Sequence, residues 1–150
     1  KTMIEKLIDT AIKQLDFLIL PIPALGGRST ADKEGEIYTG CNIENASYTL
    51  QTVQSGQLFF KAVSEGSGIF QAICIVGGKN GVLTEYAAPC GVCRQVMMEF
   101  CDPETFQIIL AVDKEKYDIF TLNELLPLDL GHPIFYRAAV VNMEWSGEKL

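Results

Sequence analysis

The chain has 150 residues, 48% of them hydrophobic and 21% charged, with a formal net charge of −7. That length and balance suit one domain with a real core, exclude a disordered chain, and leave no basic block to hold a nucleic-acid backbone. The longest apolar runs, such as "IILAV", fall far short of the roughly 20 residues of a membrane span, so no membrane partner is expected.

Met3, Ile4, Leu7, Ile8, Ala11, Ile12 and Leu15 recur at helical spacing, which predicts an amphipathic first helix over "MIEKLIDTAIKQLD". Its acidic Glu5 and Asp9 do not read as the basic lead of a signal peptide, and the expected compartment is cytoplasmic. Pro21, Pro23 and the Gly26-Gly27 pair then argue against a regular central strand in "FLILPIPALGGRSTAD". "KEG" reads as a turn and "EIYTGCNIE" alternates as a strand does. "QLFFKAVSEG" reads as a helix ending at Gly66, a left-handed C-cap, although Ser55 and Gly56 stand where that helix should be starting. "FQAICIVGG" is a continuous apolar strand, buried on both faces. "PCGVCRQVMMEF" opens a third helix, stopped at Asp102-Pro103; "FQIILAVD" and "YDIFTL" are further strands, and "NELLPL" a capped helical turn. The tail "HPIFYRAAVVNMEWSGEKL" fits a strand or a helix. Strands alternating with helices imply one α/β domain over 1–150, with helices on both faces of a mixed sheet.

The sharpest chemical signal is Cys90 and Cys93, spaced C-x-x-C at a helix start. Thiolates so placed converge on one cation, and the amide end of the helix favours their ionised form. Zinc is the expected ion; a redox pair or two small buried residues are the alternatives. Two ligands do not complete a zinc site, which takes three or four from the protein. Cys74 and Cys101 read as core residues, Cys41 stands at a strand end, and the single histidine, His132, precedes Pro133 in a terminal loop.

With "GCNIENASY", "FKAVSEG", "APCGVCRQV" and "ELLP" in this order, the chain resembles the small cytidine deaminases, most strongly over 33–127. The resemblance implies a three-layer α/β/α domain with a mixed sheet of about five strands, a zinc-dependent hydrolase, and assembly as a homotetramer. The zinc deaminase signature is a His or Cys, one residue, then Glu at one helix start, followed later by P-C-x-x-C. Pro89, Cys90 and Cys93 match its second half. For the first half, the third ligand falls at Val53, the catalytic glutamate at Ser55, and the arginine that offsets the thiolate charge at Gly56. Valine offers no lone pair, serine no acid or base near neutral pH, and glycine no charge. No glutamate lies between Asn45 and Glu65 to repair the register.

The resemblance further implies that Asn42 and Glu44 hold ribose hydroxyls, although polar residues leaving a strand also stabilise turns. "ALGGRS" from Ala24 to Ser29 departs from the family pattern that lines the base pocket. Arg94 and Gln95 match the family but by themselves read as helix-surface pairing, and Phe59 and Phe60 as core and interface packing. Three readings follow. The first is a non-catalytic relative that binds a pyrimidine nucleoside or a partner subunit, with zinc weak or absent. The second is an active deaminase recruiting Cys41 or His132 as third ligand, with Gln54 or water aiding proton transfer. The third is a structural domain with idle thiols.

Overall fold

In the computed structural model, which describes residues 2–17, 24–41, 54–79 and 82–129, the chain opens with a helix set by its own first residues. Thr2 caps α1 (Met3–Lys13) by accepting from the Glu5 amide, and Glu5 returns a bond to the Thr2 amide. This capping box satisfies two amides that a helix start otherwise leaves without partners. A 3₁₀ turn (Gln14–Phe17) follows. The apolar stripe of α1 buries Leu7, Ile8 and Ala11.

The remaining elements are β1 (Ala24–Asp32), β2 (Ile37–Cys41), α2 (Gln54–Ser64), β3 (Phe70–Lys79), α3 (Gly91–Phe100), β4 (Gln107–Ala111), β5 (Tyr117–Thr121) and the short α4 (Leu122–Leu125). The strands form one sheet in the order β2-β1-β3-β4-β5. β3 and β4 are parallel, joined through α3, and the other neighbours are antiparallel.

The period-two alternation of β3 distributes the layers. Ala72, Cys74 and Val76 face α1 together with Ala31, Ile109 and Ala111. Ile73 and Ile75 face the opposite way, under Leu58, Phe59 and Ala62 of α2 and Cys93, Met97 and Met98 of α3. The result is the three-layer α/β/α arrangement with a five-stranded mixed sheet.

Two local expectations are corrected. The segment from Ala24 to Asp32 is a nine-residue strand, paired on both sides, despite its glycines. Both prolines precede it, and Gly27 is required by packing rather than tolerated against it. A Cβ on Gly27 would collide with the backbone carbonyl of Ala11 and meet Val76 Cγ2 at 3.2 Å. Helix and strand backbones therefore touch there, and the Ser29 hydroxyl donates to the Leu7 carbonyl at 2.6 Å beside that contact. We expect Gly27→Ala to cost about 1–3 kcal/mol by overpacking, read as a lowered denaturant midpoint with an unchanged slope.

The second correction concerns α2, which runs through Ser55 and Gly56 instead of starting after them. Glycine in a helix costs about 1 kcal/mol relative to alanine. Burial of Leu58, Phe59 and Ala62 outweighs it. At the other end Gly66 has φ +94°, and the Ser67 amide reaches back to the Ala62 carbonyl at 2.9 Å, the left-handed cap expected there. Phe59 is core, whereas Phe60 is 53% exposed.

Candidate functional site

Pro89 leads the chain into α3, and Cys90 sits at its N-cap with an extended backbone. The Cys90 Sγ accepts from the Cys93 amide at 3.4 Å, and the two Sγ atoms stand 3.3 Å apart. Cys90 is exposed and Cys93 is buried. Arg94 holds this corner. Its Nε donates to the Pro89 carbonyl at 2.8 Å and its Nη1 to the Leu125 carbonyl at 2.8 Å. That corrects the surface-pairing expectation for Arg94: the residue ties the cysteine loop to the end of α4. Gln95 does pair along the helix, with Glu99.

The residue that sequence reasoning missed is Arg28. It lies mid-way along β1, opposite Gly40 and Ile75, and is only 8% exposed. Its guanidinium lies beside Cys93 and in the field of Cys90 and Cys74. Its Nε has no hydrogen-bond partner among the described residues. Burial pulls the Arg28 pKa below its ordinary value, and the sulfurs of Cys93, Cys90 and Cys74 push it back up. A signal for it existed. An arginine amid the small residues of "LGGRSTA" must be buried if that segment is an inner strand, and buried arginines need an anionic or strongly polarisable partner. The sequence does not say which helix end supplies one.

The thiols differ in character. Burial pushes Cys90 up, but the Cys93 amide and thiol, the Val92 amide and Arg28 more than offset it, leaving Cys90 below its ordinary value. Burial pushes Cys74 up to about 12 and raises Cys41 and Cys101 as well. Since the thiolate is the reacting form, an alkylating reagent near neutral pH should label Cys90 first. Its reaction should persist to lower pH than that of a free thiol. Cys74 and Cys101 should label only after denaturation, and peptide mapping by mass spectrometry reads the order.

The other sequence-singled residues fall as follows. Cys41 closes β2 and is buried, Cys74 is buried within β3, and Cys101 is buried at the C-cap of α3. Glu65 lies exposed in the turn after α2. Gln54 and Ser55 lie in the first turn of α2. Asn42, Glu44, Val53, His132 and the tail from 131 to 150 lie outside the described residues.

Fitness for zinc can be judged from the donor set. Among the described residues no group of three His, Cys, Asp or Glu side chains converges. The third group against the two sulfurs is a guanidinium, which has no lone pair to offer a metal ion. Among the described residues the pair offers two sulfur donors, fewer than the three or four protein ligands that zinc takes.

No protein-family model matches the chain. It is 35% identical over 125 residues to a cytidine deaminase of Sporosarcina psychrophila, covering 83% of this chain and 88% of that one. A cytidine deaminase of Halalkalibacterium halodurans is 38% identical over 101 residues, covering 67% of this chain and 73% of the relative. The crystal structure of cytidine deaminase from Burkholderia pseudomallei superposes with a TM-score of 0.74 at 30% identity, over 83% of this chain and 97% of that one. That from Mycobacterium tuberculosis gives 0.72 at 28% identity, over 87% of this chain and 99% of that one. In sequence and in fold, the chain belongs to the cytidine deaminase family.

Proposed function

We propose that this chain is a non-catalytic member of its family, which retains the scaffold and a pyrimidine-nucleoside site but not the deamination chemistry. The observation that carries the reading is the buried Arg28 guanidinium against Cys93 and Cys90. In zinc deaminases a metal-activated water attacks the pyrimidine and a glutamate moves the protons. Here Val53 and Ser55 stand at the ligand and glutamate positions, and a side-chain cation takes up the field of the sulfurs. The positive charge absent at Gly56 is supplied from β1 instead. Of the positions that hold zinc in such enzymes, only Cys90 and Cys93 keep a donor side chain.

Asn42 and Glu44 are the groups that hold the ribose hydroxyls in this reading. Self-association, as a tetramer, is the second part of it. Phe60 is 53% and Val63 42% exposed, on the edge of an apolar groove between α2 and α3 that Val96 and Phe100 complete. The compartment is the cytoplasm, where reduced thiols persist.

The test is thermal unfolding with cytidine or uridine present, alongside a turnover assay. A ligand at 100 times its dissociation constant contributes about 2.7 kcal/mol, so a raised melting temperature without uridine formation is expected. Uridine formation at enzyme-like rates overturns the non-catalytic reading. No shift with either nucleoside overturns the binding site.

A further inference from the structure

We propose that Cys90 and Cys93 form a metal-free, redox-active dithiol that closes to an internal disulfide by exchange with a small-molecule disulfide of the glutathione type. This goes beyond the non-catalytic reading, since it assigns the sulfur pair a reaction of its own. Three features of the sulfur pair carry it.

The first is the division of labour within the pair. Cys90 is exposed at the N-cap, where a bulky disulfide can reach it, while Cys93 is 3% exposed and 3.3 Å behind it. The second is distance. A disulfide needs its sulfurs about 2.05 Å apart, so closure asks for an approach of a little over 1 Å between side chains on one helix turn. The third is Arg28, a polar side chain more than nine-tenths buried, lying beside the sulfurs and with its Nε lacking a hydrogen-bond partner among the described residues. It supplies a fixed positive charge without the strong sulfur–metal bonds that would hold both thiols out of exchange. Cys74 and Cys101 lack this arrangement, since both are fully buried in separate parts of the core.

The chemistry balances with the disulfide as oxidant. Cys90 sulfur attacks one sulfur of the small disulfide, that S–S bond breaks, a mixed disulfide forms on Cys90, and the first small thiol leaves with a proton. Cys93 sulfur then attacks Cys90 Sγ, forming the internal bond and expelling the second small thiol. The protein loses two electrons and two protons; the oxidant becomes two thiols. A positive charge held at the pair favours the open, reduced form, so Arg28 tunes the equilibrium towards the dithiol.

The experiment uses the full chain, equilibrated with graded ratios of reduced to oxidised glutathione, acid-quenched, alkylated and mapped by mass spectrometry. We expect one transition to a Cys90–Cys93 linked peptide. Cys93→Ser should trap a glutathione adduct on Cys90, and Cys90→Ser should abolish both products. Arg28→Met should move the midpoint towards the disulfide by about tenfold in the glutathione ratio, whereas Arg28→Lys, which keeps the charge and guards against a folding defect, should stay near wild type. A pair that stays reduced throughout, an adduct on Cys90 that never resolves, or bound zinc that blocks the exchange overturns the proposal. Turnover of cytidine is read separately, so failure here and failure of the non-catalytic reading are told apart.

Discussion

Purified protein should convert cytidine to uridine at least about 10²–10⁴-fold more slowly than a family member with an intact glutamate, the range that a positioned acid–base group alone contributes. Ser55 occupies the first turn of α2, where the resemblance places that glutamate, and its hydroxyl neither releases nor holds a proton usefully near neutral pH. The loss should resist simple repair. Val53→Cys with Ser55→Glu restores the missing donor types, yet leaves Arg28 buried against the sulfurs. We therefore expect the double variant to stay impaired, and turnover to return only when Arg28→Ala and Gly56→Arg are added, which move the cation from β1 back to α2. Steady-state assay of both variants decides it. Full recovery in the double variant would show that Arg28 does not oppose the metal.

Phe59→Ala should cost about 3–5 kcal/mol, the usual range for truncating a buried aromatic. The ring is fully buried. It meets Phe70 edge-on at 4.8 Å between centroids, stacks on Phe100 at 5.6 Å, and lies 6.2 Å from Phe106. These partners belong to β3, to α3 and to the turn entering β4, so one side chain joins the α2–α3 layer to the sheet beneath it. Domains of this kind are stable by about 5–15 kcal/mol in all. The variant should be left close to its folding threshold, with a steeply lowered denaturant midpoint. Phe60→Ala is the matched control. That ring is half exposed and touches Phe100 only edge-on at 6.1 Å. It should change stability far less and show its effect in self-association.

Much of this architecture was legible because burial leaves a period in the sequence. The α1 stripe, the apolar run of β3 and the Gly66 cap each follow from residues near one another in the chain. The failures were at places where a distant element decides. Gly27 reads as a strand breaker until α1 is known to press its backbone there. Gly56 reads as a helix breaker until the burial of Leu58 and Phe59 is counted. The candidate site divides in the same way. Cys90 and Cys93 were visible because three residues of one helix turn separate them. Arg28 was not, because Cys93 lies 65 positions further along the chain. Arg94 was misread for a related reason: one of its acceptors is on α4, which no local pattern connects to α3.

Elemental analysis of the purified chain, after dialysis against a mild chelator, tests most directly whether a guanidinium has taken the place of a metal at the sulfur pair. We predict zinc far below one ion per chain. One firmly held zinc per chain, with Cys90 and Cys93 protected from alkylation by it, would contradict that assignment.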